Sequence, residues 1–536
     1  PVVVQGTVVG APTAGGAAAA PHPMAASSYN HNTSSTNYVQ ANFDANADFV
    51  KGEKQPKRCN DMAFAILFYA HLAVMAWVAA TYVPIMSNNM AEEYGGYAGG
   101  DRRMMEAPVG TAFRSLAALF HRTISKAGER DLQDNNDNGE DVDYGDVAFI
   151  MVVTGMVGLV ISAGTLTFMM MFAQVLIKVA LIFNIVVSLA MGIAGILSGV
   201  IPMAIMGFLS FAWTACYARV VWPRIPFAAQ NLITATTAVK KNLGLTAVSF
   251  SSLGVMLGWS LWWAASFTSA MFVTSGCDAA GVCEREANGL VVFLFLVSFY
   301  WTHQVIKNTV HCTVAGTVGT WWFAPHEASS CCSSAVRDSW IRSVTTSFGS
   351  ICFGSLIVAI IQATKEIVRQ MREQDDGILL CCAECLIGCL EALAEYFNKW
   401  AFVYVGLYGY SFIDSGKNVM TLFKTRGWTT IITDNLVGSV LAMLSVGVGL
   451  ITGLIGILLA SMKGLGAEFS GGAFAVGFIV GLVLTSVLMS VVESATNTVI
   501  VCFAESPAEF EANHPQLSAE MRSAWQSAWP VECANY

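Results

Sequence analysis

Three groups of side chains interrupt the longest apolar runs of this sequence, and each has a chemistry to offer. His303, Lys307 and His311 recur at intervals of four, so a helix would carry them on one face. Gln304 and Asn308 widen that polar stripe. Such a stripe suits a water-lined path; it equally suits a helix that ends near residue 310 with these groups at a membrane interface. Glu493, with Asn497 one turn later, sets a carboxylate inside the last apolar run. Charge in hydrocarbon is costly unless it is paired or hydrated. Glu493 therefore serves either as countercharge to a cationic solute or proton, or as a structural partner of Lys307 or Lys178. Trp259, Trp262 and Trp263, followed by Tyr300 and Trp301, form the third group. Their ring faces could hold a quaternary ammonium, which has no hydrogen to donate and is bound by cation–π contact. Ordinary packing is the competing use. Trp321 and Trp322 read as part of an interfacial aromatic belt.

Enzymatic motifs are only approached. No zinc helix of the HExxH type occurs. Gly409 to Ile413 resembles a nucleophile elbow without its second glycine. The stretch around Gly416 and Lys417 lacks the first glycine and the closing hydroxyl of a phosphate loop. Asp134, Asn136, Asn138 and Gly139 open like a calcium loop, but Gly145 stands where a bidentate Glu is required. A solvated acidic loop is the plainer reading. We expect no enzyme, no cofactor and no metal site.

The elements that must position these groups follow from composition. The chain has 536 residues, 55% hydrophobic and 12% charged, where soluble proteins carry about 25% charged residues. That balance requires lipid as solvent. The net charge of −9 and the lack of a basic, aromatic-rich stripe leave nucleic-acid binding unsupported. Helices of roughly 20 apolar residues cross a bilayer. Runs that qualify are 62–86, 147–174, 176–199, 203–222, 245–274, 289–322, 343–364, 437–462 and 473–504. A tenth between 390 and 423 is weakened by Lys399, Asp414 and Lys417, yet it is needed to bring both termini to one side. The expected fold is therefore all-α and polytopic, with about ten transmembrane helices. Residues 1–58 read as a disordered cytoplasmic tail, 59–505 as the membrane domain with an acidic outer loop at 87–146, and 506–536 as a cytoplasmic tail. Residue 1 is Pro rather than Met, so further residues upstream are expected.

Basic residues mark the cytoplasmic side. Lys51, Lys54, Lys57 and Arg58 precede the first span, and Arg219, Arg224, Lys240, Lys241, Arg337, Arg342, Lys424 and Arg426 fall in three loops on the same side. Lys365, Arg369 and Arg372 contradict this order, since they follow span seven on the outside. The clusters Cys331–Cys332 and Cys381, Cys382, Cys385 and Cys389 stand beside basic residues, as acylated cytoplasmic cysteines would. Cys277 and Cys283 flank a short outer loop and are expected to form a disulfide. Glycines four apart, at 195 and 199, 254 and 258, 449 and 453, and 477 and 481, favour close helix packing.

Five segments then stand in an order that resembles a known family. They are Asn308 to Trp322, Thr346 to Ile357, Tyr396 to Phe402, Gly416-Lys417-Asn418, and Val501 to Glu505. Together they resemble the choline transporter-like proteins, most closely the fungal and protist branch named for pH-nine sensitivity. The resemblance is specific from about residue 289 to 515 and rests upstream on hydropathy, the long outer loop and the paired cysteines. It implies a plasma-membrane protein of about ten spans with both termini inside, embedded in a lipid bilayer and moving choline or a related small organic cation. A channel and a non-transporting membrane scaffold or regulator are the rival functions. Oligomeric state is left open.

Overall fold

The computed structural model describes residues 59–95, 144–275, 288–330, 333–374, 378–426, 436–463 and 467–530. The expected disulfide of Cys277 and Cys283, the calcium-loop resemblance, most of the acidic loop and the tail 1–58 lie outside the described residues.

Fourteen α-helices and one 3-10 turn make up the described part, with no strand among them. They are α1 (Met62–Gly95), α2 (Tyr144–Leu197), α3 (Ile201–Val221), α4 (Ile225–Lys241), α5 (Gly244–Ser275), α6 (Gly289–Phe323), α7 (Ser334–Val344), α8 (Phe348–Gln374), α9 (Ile378–Tyr408), α10 (Phe412–Arg426), α11 (Leu436–Met462), α12 (Ala467–Glu505), α13 (Pro507–Asn513) and α14 (Pro515–Ala528). Proline opens several of them: α3, α4, α13 and α14 carry it in the first turn, where its missing N–H has no intrahelical partner to lose. Asn288 caps α6 by accepting from the Leu290 N–H, and Ser333 caps α7 by accepting from Val336.

Among the described residues eight helical stretches are long and apolar enough to cross a membrane, rather than ten. Two expectations account for the difference. The runs 147–174 and 176–199 fall within one helix, α2, whose 54 residues are bent where Phe172 leaves helical geometry (φ −124, ψ 21). The run 390–423 is divided between α9 and α10, and Glu391, Glu395 and Lys399 make its first half too charged to qualify. The expected loop holding Arg219 to Lys241 is mostly helix α4, buried along nearly its whole length.

Polarity is arranged as lipid demands: apolar side chains such as Leu197, Trp213 and Val160 face outward, while many buried positions are Ser, Thr and Asn. Buried hydroxyls of Thr236, Ser266, Thr313, Thr317 and Thr498 donate to carbonyls one turn back, so no polar atom is stranded there. The glycine pairs behave unequally. Gly449, Gly453, Gly477 and Gly481 bring α11 and α12 together, and a Cβ on Gly477 would fall 2.4 Å from the Thr452 carbonyl oxygen. Gly254 and Gly258 face open space.

The end of the bundle where α1 begins, here the proximal end, is locked by polar contacts. Asp61, at the left-handed φ of +52, accepts from the Phe412 N–H (2.9 Å) and the Ser350 hydroxyl (2.7 Å) through Oδ2. Its carboxylate thus joins the starts of α1, α8 and α10. Asn60 donates to the Gly409 carbonyl at 2.7 Å. The hydroxyls of Tyr408 and Tyr404 both donate to Glu505 at the end of α12, at 2.7 and 3.3 Å.

The last two helices dock onto the same end. Trp322 stacks on Phe510 with ring centroids 3.9 Å apart, and Trp321 stacks on His514 at 4.1 Å. Both tryptophans are buried and serve as anchors for α13 and α14, not as an interfacial belt. Asn513 donates to the carbonyls of Trp322 and Phe323, and His514 to that of Trp321, capping the last turn of α6. Trp525 donates to Asn231 on α4.

Candidate functional site

One cavity gathers most of the polar residues that interrupt the spans. It measures about 370 Å³ and lies between α6, α8, α9 and α12. Helix α6 brings Gln304, Lys307, Asn308 and His311; α9 brings Glu395, Tyr396, Asn398 and Lys399; α12 brings Ser490, Glu493, Ser494 and Asn497. The α6 and α12 contributions follow helical periodicity. Positions 304, 307, 308 and 311 share one face of α6, and 490, 493, 494 and 497 share one face of α12. Since α6 continues to Phe323, Lys307 and His311 sit mid-helix instead of at its end.

His311 is held at both nitrogens. Nε2 lies 3.0 Å from the Lys399 carbonyl, which only accepts, so this nitrogen carries a proton. Nδ1 lies 2.6 Å from the Ser494 hydroxyl, which can donate to it in the neutral ring. The imidazole therefore fastens α6 to α9 and α12 together. Asn308 donates to Ser355, Gln304 to Gln362, and Asn398 to the Gly354 carbonyl, tying the same wall to α8.

The charged groups are arranged differently. Lys307, Glu395 and Glu493 are exposed to the cavity and its mouth, while Lys399 is half-buried. Among the described residues none of the four enters an ion pair. The Lys399 ammonium instead lies over the rings of Trp400 (4.7 Å) and Tyr396 (5.6 Å). Glu493 has no contact with Lys307 or Lys178 of the kind a structural pair requires. Lys307, Glu395 and Glu493 thus stand open in one polar cavity, beside a Lys399 that faces two rings and lies near enough to Glu493 to act on it electrostatically.

The aromatic group is not brought to this cavity. Trp259 and Trp301 are buried elsewhere, and both lie in ring contact with His71 of α1, at 5.9 and 5.1 Å. His71 Nε2 is 2.8 Å from the Ser298 hydroxyl. Trp301 donates to the Cys352 carbonyl, and Trp263 to that of Phe295 while stacking on Phe267. Trp262 meets Trp259 edge to face, and Tyr300 meets Phe299 likewise. His303 bonds to Ser260 and the Phe299 carbonyl and does not line the cavity, although it stands one turn from Lys307. Sequence reading passed over His71, Glu395 and Ser494 and used Lys399 only to doubt a span. A lone His in the first apolar run was a signal for His71; nothing local pointed to the others.

Electrostatics outside the spans follow burial. Burial holds the Arg342 guanidinium below its ordinary value, with Asp338 acting in the opposite direction. His514 is likewise lowered by burial, partly offset by its bond to the Trp321 carbonyl. The basic residues that seemed misplaced after span seven have partners. Lys365 pairs with Glu391 and Arg372 with Glu384, each at 2.6 Å across the α8–α9 hairpin, and Arg369 pairs with Glu366 at 3.5 Å. Cys381, Cys382, Cys385 and Cys389 are free and exposed on α9.

Residues 205–508, which include every residue lining the cavity, match the family described as plasma-membrane choline transporter. The chain belongs to that family. This is a family of membrane transporters, and its members are similar to this chain well beyond the five short segments. Protein PNS1 of Eremothecium gossypii is 28% identical, over 70% of this chain and 72% of its own length. A CTL-like protein of Dictyostelium discoideum is 29% identical, over 57% of this chain and 56% of its own. Protein pns1 of Aspergillus fumigatus is 30% identical, over 65% of this chain and 68% of its own. The chain thus spans between just over half and about three quarters of these relatives. It is a multi-pass choline transporter-like membrane protein.

Proposed function

We propose that this protein carries choline or a related small organic cation across the plasma membrane, and that the α6–α9–α12 cavity is where the solute is held. The observation that carries this reading is the cavity itself: unpaired charges facing mid-helix space inside the region that matches the family. Ionisable groups in a membrane interior are kept where they face solute, water or one another. The cavity also stops within the bundle. From Cys312 to Trp322 α6 is buried without a break, and the Asp61 clamp closes the same end. A cavity closed at one end fits a carrier that exposes its site alternately better than an open pore. In this reading the proximal end faces the cytoplasm, because Arg219, Arg224, Lys240, Lys241, Arg337 and Arg342 belong to it, while Lys365 and Arg372, towards the other end, are paired with acids.

Uptake of labelled choline into proteoliposomes of the purified chain tests the reading. Glu493→Gln keeps the side chain's shape and removes its charge. Uptake should fall at least about tenfold, as expected for losing a charged contact, while the melting temperature stays at the wild-type value. Wild-type uptake by the variant would remove the cavity from the transport path.

A further inference from the structure

We propose that, among solutes related to choline, this cavity prefers one whose ammonium carries its own carboxylate or phosphate to the bare cation. The inference rests on the cavity being the solute site, and it comes from the balance and the state of its charges. Lys307 and Lys399 supply two positive groups and Glu395 and Glu493 two negative ones, so with a neutral His311 the formal sum is zero. A bare cation entering this space meets as much repulsion as attraction. A site for a quaternary ammonium alone would be built from aromatic faces. Tyr396 is the one aromatic side chain lining this cavity, and its ring is already faced by the Lys399 ammonium at 5.6 Å.

The charges are also unspent. Glu395 and Lys399 stand four apart on α9, in the order that favours an intrahelical pair, yet they form none. The same cation–acid chemistry is used fully only a few turns away, where Lys365 and Glu391 meet at 2.6 Å. Inside the cavity the groups are spread over three helices instead. A ligand with one charge of each sign would bridge carboxylates and ammonium groups at once, and the Asn497 amide, which makes no side-chain bond among the described residues, adds a neutral contact. Such a ligand offers these groups the direct ion pairs that they do not make with one another among the described residues.

Ligand-induced thermal stabilisation of the full chain in lipid nanodiscs tests this, with choline, glycine betaine and phosphocholine as probes. At least one zwitterion should half-saturate at a lower concentration than choline, and the two zwitterions separate a carboxylate from a phosphate preference. Lys307→Gln and Lys399→Gln should each raise the zwitterion's half-saturation by about tenfold, the effect of losing one charge-assisted contact, and should lower that of choline. Glu493→Gln should raise both. If choline binds more tightly than either zwitterion and the lysine variants leave the ratio unmoved while Glu493→Gln still weakens choline, the zwitterion class is wrong and the cavity stands. If none of the three variants moves any half-saturation, the cavity is not the solute site and both readings fall.

Discussion

Asp61 and Glu493 are both carboxylates set among apolar helices, and the molecule treats them in opposite ways. Asp61 receives a backbone N–H and a hydroxyl at 2.9 and 2.7 Å and binds three helix starts together. Glu493 receives nothing from the described residues and faces a cavity. The first arrangement lowers the energy of the folded bundle, because each charge-assisted bond replaces lost hydration. The second forgoes that gain and leaves the charge available. An acid in a span is thus a clue to function only after its partners are known. By that measure the proximal end is framework, and the cavity is where the proposed function is to be sought.

The largest expected effect falls on the framework. Asp61→Ala removes the acceptor of two bonds and should destabilise the protein by about 3 kcal/mol, whereas Glu395→Gln in the cavity should stay within about 0.5 kcal/mol of wild type. Melting of purified protein in detergent measures both, and similar shifts for the two variants would erase the distinction between the regions. A smaller loss is expected when Asp61 is kept but displaced. A Cβ on Gly349 would lie 2.4 Å from the Asn60 oxygen and 2.5 Å from that of Asp61, so Gly349→Ala must push the clamp apart. A cost of about 2 kcal/mol follows from overpacking, against an unchanged melting temperature for Gly254→Ala, whose new methyl meets open space.

The smallest effect concerns pH and the docked C-terminal helices. Burial lowers His514 below its ordinary value. The unfolded chain therefore takes up the proton first, and the stacking of His514 on Trp321 contributes fully above the ordinary histidine range. That contribution is lost as pH falls through the lowered value. Melting temperature should drop slightly on acidification from pH 7.5 to pH 5, and His514→Phe should flatten this slope. An equal slope in the variant would place the acid sensitivity elsewhere.

The fold class was open to sequence reading because lipid imposes long apolar runs, and such runs need no knowledge of neighbours. The count was not, for a local reason and a distant one. The bend at Phe172 leaves no break in hydropathy, so one helix reads as two. Helix α9 holds Glu391 and Lys399 by virtue of Lys365 on α8 and of the cavity, and a charged helix shielded by its neighbours looks like a loop. That Lys307 shares a face with His311, and Glu493 with Asn497, was legible from helical spacing; that both faces meet in one cavity was not. Of the aromatic group, Trp259 and Trp301 turn toward His71 instead, and only packing decides which way a face turns.

The capping of α6 bears on how the chain is made. Its last carbonyls are satisfied by Asn513, some 190 residues further along, so the helix that carries five cavity residues leaves the ribosome with its end unfinished. Every later span must be inserted before that end is closed. The seating of Phe510 and His514 against Trp321 and Trp322 is therefore a contact that forms only after the whole membrane domain has been made.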